Sequence, residues 1–189
     1  MKFFLLFVFS IVCLAQESKK DINVIYGDHH IYTVETPTNW VNNKSDAEEI
    51  GLTNIFYNSQ DTGKTHKSYM YTNGYDKTSP SDDLQSFVKD DLETFLKKYP
   101  KAIYKSVNLH FEPPILNGLM LSFGNLPDRF KEEVVYLETK ETVIVFSFAA
   151  FTKSDYEDYR KVFDDEFLSS FKYRGNNPKP FLDQWNKRN

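Results

Sequence analysis

"TVIVFSFAAF", residues 142–151, decides the fold. Apolar side chains fill both parities of this run, with little but Thr142 and Ser147 polar. A strand sends alternate side chains to opposite faces, so a run apolar at every step needs cover on both. The β-branched Val143, Ile144 and Val145 and the aromatic Phe146 and Phe148 favour the extended form. The reading is a central strand of a sheet with a layer on each side.

Three strand-like runs precede it, over 103–111, 115–123 and 132–139. They break at Pro113-Pro114, at 124–129 and at Lys140-Glu141. Connections this short join antiparallel neighbours. Before them the spacing predicts a helix. Ser81, preceded by Pro80, suits the N-cap, with Asp82 and Asp83 in the first turn. Leu84, Phe87, Val88, Leu92, Phe95 and Tyr99 then fall on one face, with Asp91 at its edge. Lys97 and Lys98 suit the last turn, and Pro100 stops the helix.

Further upstream, residues 30–36 read as a short strand. Leu52 to Tyr57 and His66 to Tyr75 make a hairpin across the turn-rich SQDTGK, 59–64. Between them, NNKSDAEEI (42–50) is loop-like with room for a helical turn. Tyr69, Tyr71 and Tyr75 share one face of the second hairpin strand. Downstream, Tyr156, Tyr159, Phe163 and Phe167 repeat at helical spacing after Ser154. Pro180, Phe181, Leu182 and Trp185 allow one amphipathic turn in an otherwise polar end.

The N-terminal MKFFLLFVFSIVCLAQ carries a lysine, an apolar run and small residues at Cys13 and Ala15. That is the pattern of a secretory signal peptide over 1–15. A lipid anchor on Cys13 is the alternative, disfavoured by Val12 before it. No later segment is long and apolar enough to span a bilayer. Cleavage after Ala15 leaves a chain without cysteine, which excludes disulfides, thiolate nucleophiles and cysteine zinc sites. The net charge of −4 and the lack of a basic stripe argue against nucleic acid as a partner. The expected organisation is signal peptide 1–15, flexible leader 16–28, a single domain 29–173 and a polar C-terminal tail 174–189. The expected location is secreted or periplasmic.

Two stretches mark the ends of that domain, "YTVETPTNW" (32–40) and "DDEFLSSFKY" (164–173). With the element order between them, they resemble the PsbP-like superfamily, which includes DcrB-like bacterial lipoproteins and secreted proteins. The resemblance covers about residues 29–173. It implies an α+β fold, a central antiparallel sheet of about six to seven strands with helices on its faces. It also implies proteins that bind, dock or assist others without catalysis, and it carries over no functional residue. Within the first marker, Pro37 ends the strand and Thr38-Asn39 turns the chain. Trp40 then reads as a plug over the sheet edge rather than a ligand platform.

Several constellations need weighing. His29-His30 is the most metal-like pair, but it needs further ligands from His66 or His110. An exposed polar pair at a strand start is the simpler reading, and no metal or cofactor is expected. Asp164, Asp165 and Glu166 read as a solvated helix face, not an acid–base pair. Ser122 and Ser147 lie in strands, outside any nucleophile elbow. Binding candidates are Trp185 and Phe181 in the tail and Tyr69 and Tyr71 on the hairpin. Trp185 either folds back over an apolar groove or stands exposed as an anchor.

The favoured function is a non-catalytic accessory protein of the cell envelope that docks a protein or envelope component. An enzyme, a hydrolase or metal-dependent, with a dispersed site is one alternative; a small-ligand carrier is the other. A deep pocket with converging His66, His110 or carboxylates favours the enzyme, and an apolar cavity beneath a helix favours the carrier.

Overall fold

The structure, a computed structural model, describes residues 20–61, 67–79 and 81–187. The signal peptide and Cys13, His66 and Pro80 lie outside the described residues. In chain order the elements are β1 (Ile22–Tyr26), β2 (Ile31–Glu35), β3 (Trp40–Asn42), α1 (Lys44–Glu49), β4 (Phe56–Asn58) and β5 (Tyr69–Asp76). There follow α2 (Leu84–Lys98), β6 (Ile103–Leu109), β7 (Asn117–Gly124), β8 (Lys131–Glu138) and β9 (Thr142–Ala150). The chain closes with α3 (Lys153–Val162), a π-helical continuation over Phe163–Leu168, β10 (Lys172–Gly175) and α4 (Pro178–Trp185).

The main sheet has seven strands in the order β3-β4-β5-β9-β8-β7-β6, antiparallel throughout. β9 is its middle strand and is buried at every position. That is the outcome its two-sided apolar run predicts. Even residues Ile144, Phe146 and Phe148 enter one core with Met70, Phe56, Phe163 and Phe167. Odd residues Val143 and Val145 enter another with Tyr136, Phe123, Leu84 and Val88. α3 covers the first face and α2 the second.

A second sheet, β1-β2-β10, packs Ile25, Tyr32 and Val34 into the α3-side core. Two expectations are corrected here. The leader over 16–28 is not irregular throughout, because β1 pairs with β2 from Ile22↔Glu35 to Tyr26↔Ile31. The tail over 174–189 holds the end of β10, and the single amphipathic turn expected there is the eight-residue helix α4.

α2 starts later than expected. Its N-cap is Asp83, not Ser81, and the Asp83 side chain accepts from Ser86 N. Asp82 instead accepts from the backbone of Thr78 and Ser79, building the preceding turn. Asp91 is not an idle edge residue, since Tyr136 O–H donates to it from the sheet below. α3 is capped by Thr152 in a reciprocal box with Asp155.

The two end markers touch each other. Glu35 N donates to Ser170 Oγ at 2.9 Å, and the Tyr32 ring meets Phe171 at 5.5 Å. Trp40 is 5 % exposed and packs edge-on against Tyr159 at 5.3 Å. The turn before it is closed by Trp40 N donating to Pro37 O, with Asn39 at φ 64°. Trp40 is therefore the plug that the sequence predicts. Glu166 is corrected from a solvated position: it is half-buried and accepts from Thr38.

Candidate functional site

β10 hydrogen-bonds to β2, and Asn177 caps α4 by accepting from Lys179 N. Proline at the first helical position suits the start of so short a helix. Arg174 fixes the helix to the small sheet. Its Nε donates to Thr33 Oγ1 at 3.2 Å, and its guanidinium lies 5.8 Å above the Phe181 ring. Phe181 in turn stacks on Trp185, 5.8 Å between centroids and 16° between planes. This relay of Thr33, Arg174, Phe181 and Trp185 sets the indole at the rim of an open cleft of about 900 Å³.

The cleft lies between β1, β3 and α4. Lys20, Asp21, Ile22, Asn23, Thr36, Trp40, Val41, Asn42, Lys44 and Trp185 line it. A polar ladder crosses its floor: Asn42 Nδ2 donates to Asn23 Oδ1 at 2.8 Å, and Asn23 Nδ2 donates to Thr36 Oγ1 at 2.9 Å. The ladder leaves Asn42 Oδ1 buried and without a hydrogen-bond partner. A buried acceptor without a donor is uncommon and costs about 1–3 kcal/mol. Val41, half exposed, and the two tryptophans supply apolar surface, and Lys20 and Lys44 supply positive charge. Such a surface grips an apolar side chain while its lysines offer donors to a backbone.

Trp185 and Phe181 thus come together, and with Trp40. The sequence posed Trp185 as either folded back over an apolar groove or exposed as an anchor; it is half-buried, stacks on Phe181 one helical turn earlier in α4, and lines the cleft.

Tyr69 and Tyr71 lie elsewhere, on the α2 side of β5, their rings 6.3 Å apart and stacked. Arg129 Nη1 donates to Tyr69 O–H at 2.6 Å and to Glu132 Oε2 at 2.9 Å. Its Nη2 donates to Tyr99 O–H at 2.9 Å and to Asp128 Oδ2 at 2.9 Å. Burial raises the Tyr69 and Tyr71 phenols above the usual tyrosine range. Glu132 is also raised by burial, while the Arg129 hydrogen bonds draw Asp128 down to about 2. This network binds β5, the end of α2 and the start of β8 into one block, and sequence spacing gives no hint of it.

The histidines separate. His29 is exposed, whereas His30 is 3 % exposed, correcting the reading of both as a surface pair. His30 Nδ1 lies 2.7 Å from Asp76 Oδ1, and Asp76 also accepts from His29 N and Thr142 Oγ1. Among the described residues, no three His, Cys, Asp or Glu side chains are grouped to hold a metal ion. Ser122 and Ser147 donate to Glu133 and Glu132, as packing residues do. Asn43, first of an Asn-Lys-Ser triplet, spends its side chain capping α1. Among the described residues, no helix is long and apolar enough to cross a membrane.

Comparison with solved structures adds a likeness in fold. The solution structure of cyanobacterial PsbP (CyanoP) from Synechocystis sp. PCC 6803 matches with a TM-score of 0.55 at 11% identity. The match covers 83% of this chain and 95% of that one. The fold is PsbP-like. No protein-family model matches the sequence, and no curated protein matches it.

Proposed function

We propose that this chain is a non-catalytic accessory protein of the cell envelope, nearest to the DcrB-like branch of PsbP-like proteins. In this reading it is exported and docks a protein partner in the cleft between Trp40 and Trp185. The observation that carries it is the cleft itself. Trp185, the half-exposed Val41 and two lysines meet on one open surface that the nearly buried Trp40 also borders. Aromatic anchors in a concave patch with a polar surround are how protein partners are held. The cleft's polar lining is amides, a hydroxyl, two lysines and the single carboxylate of Asp21, a set suited to recognition rather than to acid–base work.

Capture from the native envelope with the tagged chain, followed by identification of what is retained, tests it. A partner retained by the wild type and lost with Trp185→Ala supports docking at the cleft. Equal retention by both contradicts it. Turnover of a small substrate by the purified chain contradicts the non-catalytic role.

A further inference from the structure

We propose that the protein pairs with a second copy of itself through β6, antiparallel about Ser106. Tyr104 of each copy then enters the cleft between β6 and the N-terminal end of α2 of the other.

β6 ends the seven-stranded sheet, and among the described residues no strand pairs with its outer edge. Six of its seven residues are exposed, with Ile103 at 67 %, Tyr104 at 46 % and Val107 at 49 %. Sheet edges are ordinarily blunted by proline, bulges, charge or short length. β6 has no proline and one lysine, and its register with β7 runs unbroken from Ile103↔Gly124 to Leu109↔Gly118. Its outer N–H and C=O groups form a ready template for another strand.

The sequence of the edge selects the occupant. IYKSVNL folded on itself about Ser106 sets Ile103 opposite Leu109, Tyr104 opposite Asn108 and Lys105 opposite Val107. Apolar ends meet, and no like charges stand directly opposed. Just outside the strand, Lys101 arrives beside Glu112 of the second copy.

A second feature matches this register. A cleft of about 460 Å³ opens beside the end of β6, lined by Asn108, Leu119, Leu84 and Gln85. Tyr104 shares the parity of Asn108, and its ring rests on Phe123 in the α2-side core. It therefore projects on the face where that cleft lies. The two-fold brings Tyr104 of the second copy to Asn108, at the cleft's mouth. Projecting ring and receiving cleft belong to the same chain, and this two-fold brings them together twice per dimer. An unrelated strand on the same edge has no reason to carry a tyrosine at that step.

Sedimentation velocity of the full chain from about 1 to 300 μM, with hydrogen exchange read across 103–109, tests the proposal. The expected result is a monomer–dimer equilibrium in which the β6 amides slow as dimer forms. Val107→Lys places its new ammonium opposite Lys105 of the second copy and weakens the dimer by about ten-fold or more. Adding Lys105→Glu restores it, because each introduced carboxylate then faces an introduced ammonium across the two-fold. Tyr104→Ser, a change at an exposed site, also weakens it. A chain that stays monomeric throughout, or a dimer indifferent to these variants, overturns the proposal. So does a monomer whose β6 amides slow only when envelope extract is added, since another protein's strand then fills the edge.

Discussion

Glu166 accepts both the backbone N–H and the hydroxyl of Thr38, at 2.9 and 2.7 Å. Lys20 donates to the same oxygen at 2.8 Å. One carboxylate in the π-helical turn thus clasps the corner that leads into Trp40. With the Glu35 N–H on Ser170, it ties the two ends of the domain together, and its partner Lys20 lines the Trp40–Trp185 cleft.

The clasp makes stability depend on pH. Burial opposes the Glu166 charge, but the hydrogen bonds from Lys20 and Thr38 outweigh it and hold the carboxyl below the usual range. A carboxyl lowered on folding adds stability above its unfolded value and loses it as pH falls through its folded value. Glu166→Gln should therefore lower the melting temperature at pH 7. The gap to wild type should begin to narrow near about pH 4 and close as the pH falls through the lowered folded value. Thermal melts of both proteins across that range check it.

Trp40→Ala empties a buried site against Tyr159. The expected cost is about 3–5 kcal/mol, read as a lower midpoint in chemical denaturation. A variant as stable as wild type would remove Trp40 from the core.

Gly74 has no room for a side chain. An added Cβ would overlap the His30 ring at Nε2. His30 is pinned by Asp76 and stacked on Tyr32 at 5.9 Å, so it cannot step aside. Gly74→Ala should destabilise the protein by about 1–3 kcal/mol. In His30→Ala the same change should cost much less, a coupling that a double-mutant cycle measures.

Arg129→Met strips the cation from Glu132, whose carboxyl burial already pushes upward. The uncompensated charge should cost about 3–5 kcal/mol at pH 7. A carboxyl raised on folding costs stability as pH rises through its folded value, so the loss should shrink on acidification as Glu132 takes a proton. Denaturation midpoints at pH 7 and pH 4 distinguish this from lost packing, which would not vary with pH.

Much of the fold was legible because local pattern and final environment agree. The runs at 103–111, 115–123, 132–139 and 142–151 appear as β6 to β9 with ends shifted by a few residues. The two-sided run of β9 announced both covering layers. The start of α2 was less legible, since Ser81, Asp82 and Asp83 can all cap. The choice falls to a distant group: Glu138 Oε1 accepts from Leu84 N and fixes the first turn. β1 became a strand through β2 beside it, not through its own short sequence. The cleft could not be read at all. Asn23 and Asn42 lie 19 residues apart, and Trp185 reaches Trp40 only through α4 and the Arg174 relay. Tyr69 and Tyr71 were visible as a ladder, but Arg129 joins Tyr69 from 60 residues away.

In the proposed function, Trp185 presents a docking surface without holding up the fold. Capture from the native envelope with wild type and Trp185→Ala, both first shown to melt within about 2 °C of each other, tests it most directly. The expected result is a partner retained by the wild type and lost by the variant. The same partner retained equally by both would contradict it.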